Sequence, residues 1–331
     1  MESISKQSSA AQNLQNPRVR PWRQNRRIQS KLSLMLLTLG VILIAVYIIK
    51  IFIPPQLKVR AAVLINADTG KVLYSHNADQ ALPPASMSKM MTELIVLEAV
   101  DSGQHSWNED VSVSHYAAEV PGSQIGIAAG EIYSLKQMFD ALVIHSANDA
   151  AVAIAEHLSG SETEFVYLMN EKAKHIGLSA KTVYANASGL TSGDLSGFAE
   201  AASYSDTAMT ARDAALLTRW LLQTYPDVLE VTGQKDIYIP QREISLHTTN
   251  LMLPGEAHAY NGIDGFKTGY TSQAGYCFTG TSKRGGSRLI SVVMGAGNSK
   301  ERFTETSKLM DYGFRRQSAF WDTLTSVFWV N

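Results

Sequence analysis

At 331 residues, with 45% hydrophobic and 18% charged side chains, 23 glycines and 10 prolines, the chain can bury one large core or two modest ones, which excludes a disordered or collagen-like protein. A single cysteine excludes an intramolecular disulfide and a cysteine-rich zinc site. The formal net charge of −1 conceals an asymmetry: residues 1–31 carry seven basic residues against Glu2 alone, which leaves 22 basic and 29 acidic residues behind them and argues against a nucleic-acid partner for the folded part.

Residues 1–31, rich in Gln, Asn, Ser and Arg and without apolar periodicity, are predicted to be a basic cytoplasmic tail. From residue 32 to 49 no charge interrupts an apolar run, which resumes after Lys50 and continues to Ile53. About 20 such residues span the hydrocarbon core of a bilayer. A soluble core helix keeps a polar face, and here only Ser33 and Thr38 offer one. Residues 32–53 are therefore predicted to be a transmembrane signal-anchor helix, stopped by Pro54-Pro55. The run exceeds the usual apolar stretch of a cleavable signal, and no small-x-small site follows it. The basic flank places the N-terminus in the cytoplasm and everything after the 54–58 linker outside, as a single-pass protein of the cell membrane.

Residues 59–66 and 71–75 are two β-type runs joined around Asp68-Thr69-Gly70, a predicted hairpin. Helical patterns follow over 86–100, 135–158, 162–176 and 210–222. Strand-like runs return at 275–282 and 288–294, ahead of an amphipathic helix over 300–312. Strands at both ends and helices between predict an α+β fold, a sheet built from N- and C-terminal strands with a helical region inserted, and a site at their junction. Residues 315–331 form an aromatic tail (Phe320, Trp321, Phe328 and Trp329 beside the lone charge Asp322) that either packs on the domain or dips into the membrane interface.

The chemistry begins at Pro83-Pro84-Ala85-Ser86-Met87-Ser88-Lys89, which sets a serine at the start of an apolar helix and a lysine one turn later. The amine can reach the hydroxyl there, and the helix N-terminus offers N–H groups to a developing oxyanion. An S-x-x-K alone is weak, since one occurs by chance in such a chain; Ser3-Ile4-Ser5-Lys6 is another. Two further motifs sharpen it: Ser146-Ala147-Asn148, 60 residues after Ser86, and Lys267-Thr268-Gly269, 121 residues after Ser146. Met87, Met90, Met91 and Leu94 are predicted core contacts and Cys277 a buried small hydrophobe. The eight histidines show no H-E-x-x-H or other ligand spacing, so neither a metal nor a cofactor is assigned.

This motif set resembles the penicillin-binding and serine β-lactamase superfamily, whose signature is S-x-x-K, S-D-N and K-T-G. From residue 59 to 314 the sequence resembles the low-molecular-mass D-alanyl-D-alanine carboxypeptidases in INADTGKVLY (65–74), LPPASMSKMMT (82–92), HSANDAA (145–151), NASGL (186–190), TARDAALL (210–217) and DGFKTGYTSQAGYC (264–277). The resemblance implies a β-lactamase/DD-peptidase-like domain over 59–314. It implies acylation of Ser86 by the penultimate D-alanine of a peptidoglycan stem pentapeptide, release of the terminal D-alanine, and β-lactams as covalent inhibitors. Lys89 acts as base only if its amine is neutral, to which burial and a second cation both push it. Lys267 is expected to be that cation and, with Thr268, to hold the substrate's terminal carboxylate. By resemblance Ser146 relays a proton to the leaving amine, while Asn148 holds Lys89 and the substrate amide. Gly269 and Tyr270 continue the substrate-facing segment, and the N–H groups of Ser86 and Tyr270 are the expected oxyanion hole, worth about 3 kcal/mol per donor.

The chain departs from this family in three places. Residues 191–209 run longer than the pattern. Thr248 and Thr249 stand where relatives often carry a basic residue before Asn250. The chain ends about 17 residues after Phe314, where many relatives continue into a β domain and a C-terminal anchor that the N-terminal helix is expected to replace. A DD-endopeptidase that cuts crosslinks and a non-catalytic penicillin-sensing wall-binding protein remain alternatives. A class A β-lactamase is disfavoured, because no glutamate from Glu156 to Glu243 has an asparagine four residues on, so slow deacylation is expected.

Overall fold

The structure, a computed structural model, describes residues 22–328, with side chains described for residues 29–46 and 53–317. Most of the predicted cytoplasmic tail and the aromatic side chains of Phe320, Trp321, Phe328 and Trp329 lie outside these. The chain divides into two compact units, residues 1–53 and 54–331.

The first unit contains α1 (Trp22–Phe52). Its stretch Gln29–Val46 is apolar, has none of its residues buried, and at about 27 Å is long enough to cross a bilayer.

The second unit opens with the hairpin of β1 (Ala61–Asn66) and β2 (Val72–His76). Its turn is closed by Asn66, whose Oδ1 accepts from the Thr69 N–H at 2.8 Å. β3 (Ala81–Leu82) leads through a 3₁₀ turn over Ala85–Ser88 into α2 (Lys89–Asp101). β4 (Asp110–Ser112), α3 (His115–Glu119) and β5 (Ile132–Ser134) precede α4 (Leu135–Asp140), whose start is fixed by a capping box between Ser134 and Gln137. The helix expected over 135–158 is broken. A π turn over Ala141–His145 and a left-handed Ser146 (φ 64°) separate α4 from α5 (Asn148–Ser159). α6 (Glu162–His175) is capped by the Ser161 hydroxyl and carries acidic residues in its first turn and basic ones in its last, as the helix dipole favours. Beyond a long connection come β6 (Met209–Thr210), α7 (Ala211–Thr224), α8 (Val228–Thr232) and the hairpin of β7 (Asp236–Ile239) and β8 (Ile244–His247).

Three long strands, β9 (Ile263–Thr271), β10 (Gly275–Arg284) and β11 (Ser287–Ala296), precede α9 (Ser299–Phe328). α9 runs well past Tyr312, where the expected helix ends. The main sheet has the order β2-β1-β11-β10-β9, antiparallel throughout, with Ala61 opposite Met294 and Lys267 opposite Thr279. Strands from the two chain ends thus make one sheet with the helical region between them in sequence, the predicted α+β arrangement.

Period-two alternation divides the core. Ala61, Val63 and Ile65 of β1 with Ile290, Val292 and Met294 of β11 face a cluster that includes Met87, Met90, Met91 and Leu94 of the 3₁₀ turn and α2. Ala62, Leu64, Leu289 and Val293 face the opposite way, against Phe303, Leu309 and Met310 of α9.

Candidate active site

Ser86 occupies the 3₁₀ turn ahead of α2, where side chains three residues apart eclipse one another. That geometry places Lys89 Nζ 2.9 Å from Ser86 Oγ. Lys89 is 0% exposed. Its other two contacts are Asn148 Oδ1 at 2.6 Å and the Ser188 carbonyl at 2.7 Å, both of which can only accept. A neutral amine donates to those two and turns its lone pair to the Ser86 hydroxyl, the single partner with a proton to give. Burial holds the Lys89 pKa well below the ordinary lysine value, and the nearby Lys267 charge pushes the same way against Asp149 and Glu93.

Two glycines let the walls close on this turn. Gly189 has φ +81°, and a Cβ there would stand 2.1 Å from the Ala85 carbonyl oxygen. At Gly269 a Cβ would come within 2.5 Å of the Pro84 oxygen, so β9 can lie against the Ser86 turn only without one. β9, just ahead of the two strand-like runs expected from sequence, is itself the edge strand of the main sheet, paired with β10.

Ser146 and Asn148 come from the break between α4 and α5. The left-handed backbone of Ser146 reverses the chain, and its side chain lines the cleft. Asn148 Nδ2 donates to the Pro121 carbonyl at 2.6 Å, besides the Oδ1 contact with Lys89. The next residue, Asp149, accepts from the N–H groups of Ile125 and Gly126 at 2.9 and 3.0 Å, which fixes the 122–127 loop as one wall.

The cleft has a volume of about 300 Å³, and Ser86, Ser146, Asn148, Thr268, Gly269 and Tyr270 all line it. Lys267 stands apart from these lining residues: it is 1% exposed, with Nζ 3.4 Å from the Thr268 carbonyl, and burial lowers its pKa to about 8. Three residues that the motif reading did not include as site members complete the setting. Thr249 accepts from the Thr268 hydroxyl at 2.6 Å and lines the cleft. Arg302 of α9 also lines it, from the far side of β9. Its guanidinium stacks on Phe303 and donates to the carbonyls of Gly269 and Cys277, yet among the described residues no carboxylate lies within 4.0 Å of it. Burial lowers its pKa to about 10. Such a cation, buried without a counter-ion and open to a cleft, can receive an anionic group. Glu93, one turn beyond Lys89, is 0% exposed with both carboxylate oxygens lacking a hydrogen-bond partner, and burial raises its pKa to about 8 against the pull of Lys267 and Lys89. Only the i, i+4 spacing from Lys89 could have flagged it, and Arg302 had no sequence signal beyond its place in an amphipathic helix. Cys277 is 0% exposed, and burial pushes its thiol up to about 11.

The D-alanyl-D-alanine carboxypeptidase family model matches residues 50–298. The D-alanyl-D-alanine carboxypeptidase DacF of Bacillus subtilis is 42% identical over 258 residues, 77% of this chain and 62% of the relative. DacC of Escherichia coli, also a D-alanyl-D-alanine carboxypeptidase, is 33% identical over 285 residues, 82% of this chain and 64% of the relative. The chain thus spans under two thirds of the length of these relatives. Among solved structures, penicillin-binding protein D2 from Listeria monocytogenes in its ampicillin-bound form is similar with a TM-score of 0.67 and 36% identity, over 78% of this chain and 100% of that one.

Proposed function

The chain belongs to the D-alanyl-D-alanine carboxypeptidase family, and on that premise we propose that it removes the terminal D-alanine from peptidoglycan stem pentapeptides through an acyl-enzyme at Ser86. The observation that carries this reading is the buried Lys89 amine, 2.9 Å from Ser86 Oγ, whose two remaining partners are acceptors. Ser86 Oγ attacks the carbonyl carbon of the penultimate D-alanine as its proton passes to Lys89 Nζ. The oxyanion is received by the N–H groups of Ser86 and Tyr270. Ser146 relays the proton held by Lys89 to the departing D-alanine amine, the C–N bond breaks, and water then cleaves the Ser86 ester to give the tetrapeptide. Arg302, Thr268 and Thr249 grip the terminal carboxylate, while Lys267, behind them, keeps Lys89 neutral by its field. Asn148 holds the Lys89 amine in register. A β-lactam acylates the same serine, in keeping with the ampicillin-bound relative.

The relatives' names favour a carboxypeptidase over an endopeptidase or a non-catalytic sensor. In this proposal the domain begins near residue 59 and works outside the membrane, tethered by residues 32–53 with the N-terminus in the cytoplasm. The deciding experiment incubates the full chain in detergent with a stem pentapeptide and with a crosslinked dimer. Free D-alanine from the pentapeptide, lost in Ser86→Ala together with labelling by a fluorescent penicillin, is the expected result. Cleavage of the dimer alone makes it an endopeptidase, and labelling that survives Ser86→Ala removes the nucleophile assignment. Protease added to intact spheroplasts should digest the domain beyond residue 55; digestion only after lysis would reverse the topology.

A further inference from the structure

At the ends of α2 and α5 remote from the cleft, three side chains that share no sequence motif converge. His105 follows α2 in the connection to β4, Glu109 lies four residues on in the same connection, and His157 occupies the last turn of α5. His105 Nδ1 lies 2.6 Å and His157 Nε2 2.7 Å from one oxygen, Glu109 Oε1. The three donor atoms fall within 4.8 Å of one another. The rings meet edge-on, centroids 5.5 Å apart, so their nitrogens can converge on a single point without stacking. We propose that His105, Glu109 and His157 bind a divalent transition-metal ion, zinc by the chemistry of the donors.

Two imidazoles and one carboxylate are a nitrogen-rich set that suits zinc and disfavours calcium or magnesium, whose sites are built from oxygens. Zinc bonds of about 2.0–2.2 Å put the donors of a tetrahedral site about 3.3 Å apart, so an ion opens the two present N···O contacts by less than about 1 Å and draws the nitrogens together. The side chains have room for this adjustment, with relative exposures of 24% for His105, 25% for Glu109 and 23% for His157. That exposure also leaves a face open for entry and for a water as fourth ligand. The surroundings hold the donors in place. The Ser106 N–H donates to Glu109 Oε2 at 2.9 Å, the Glu109 carbonyl accepts from the Leu135 N–H at 3.0 Å, and the His105 N–H reaches the Ala99 carbonyl at 3.0 Å. Outer contacts of this kind orient metal ligands.

The position defines the role. His157 lies nine residues along α5 from Asn148, about 13 Å down the axis, so the ion takes no part in chemistry at Ser86. It would join the α2–β4 connection to the end of α5, two elements whose other ends carry Lys89 and Asn148.

The test uses the untagged full chain in detergent, stripped with EDTA. Cobalt(II) is expected to bind one ion per chain with the visible absorption of a four-coordinate nitrogen and oxygen site. Zinc(II) at a hundredfold excess over its Kd should raise Tm by about 5 °C or more. Both signals should vanish in the His105→Ala/His157→Ala double variant, with far-UV circular dichroism confirming that the variant is folded. Absence of a saturable cobalt band, or a band and a zinc-dependent Tm shift retained by the folded double variant, would overturn the proposal.

Discussion

The two faces of the main sheet are built on opposite terms. On the α9 face, Leu64, Leu289 and Val293 meet Phe303, Leu309 and Met310, and the buried Glu305 is matched by Lys308 at 2.7 Å and by the Lys58 N–H. On the face toward the helical region, Lys89, Glu93 and Lys267 are almost wholly buried within an equally apolar surround, and the Glu93 carboxylate has no hydrogen-bond partner among the described residues. Burying ionisable groups in a dry interior costs stability and shifts their proton affinities toward the neutral forms. Both faces are packed with apolar side chains, and the one toward the helical region also holds the groups that push the Lys89 pKa down.

Substitutions on each face test the division. The largest loss of activity is expected from Lys89→Ala: acylation by a fluorescent penicillin should slow by about 10²–10⁴-fold, as for removal of a general base, with a smaller change in urea midpoint than any core truncation on the α9 face produces. Leu64→Ala should do the reverse, with a loss of about 2–5 kcal/mol in urea unfolding and an unchanged acylation rate per folded molecule. Equal loss of activity in the two variants would break the comparison. Arg302 sits between the faces. Arg302→Gln should weaken turnover of a pentapeptide with a free terminal carboxylate by about 10–100-fold, the value of a charge-assisted hydrogen bond, and leave a C-terminally amidated analogue unaffected.

The smallest change per measured step is expected at Glu93. Its folded pKa of about 8 stands above the ordinary 4.5, so between those values the folded state holds a proton that the unfolded chain has released. That group alone makes stability fall as pH rises through the window, by at most about 1.4 kcal/mol per unit. Urea unfolding of Glu93→Gln at pH 5, 6, 7 and 8 should show a flatter profile than the parent; an identical slope would show that Glu93 is ionised throughout.

What could be read from the sequence followed from periodicity and composition. The short β-type apolar runs at residues 59–66 and 288–294 located the central strands, and helical spacing located α2, α6 and α7. β9 escaped because Asp264, Gly265, Lys267 and Gly269 give it poor strand propensity, and only pairing with β10 makes it a strand. The break at Ser146 lies in a backbone conformation inside an uninterrupted apolar pattern, to which hydrophobic periodicity is blind. The three motifs pointed to Ser86, Lys89, Asn148 and Thr268, which the fold brings to one cleft. Arg302, Thr249 and Glu93 needed the tertiary arrangement, and so did the meeting of His105 and Glu109 with His157, 48 residues away.

The antiparallel register joins Ala61, near the start of the folded domain, to Met294, near its end. During synthesis β1 and β2 emerge long before β11, so the early hairpin waits with an unpaired apolar edge until nearly the whole domain has left the ribosome. Contacts of such long sequence separation close slowly and expose the chain to aggregation meanwhile. β10 and β9 join the hairpin through β11, so the wall that carries Thr268 takes its place in the main sheet only once β11 is there. The cleft beside Ser86 is therefore among the last features of the domain to be completed.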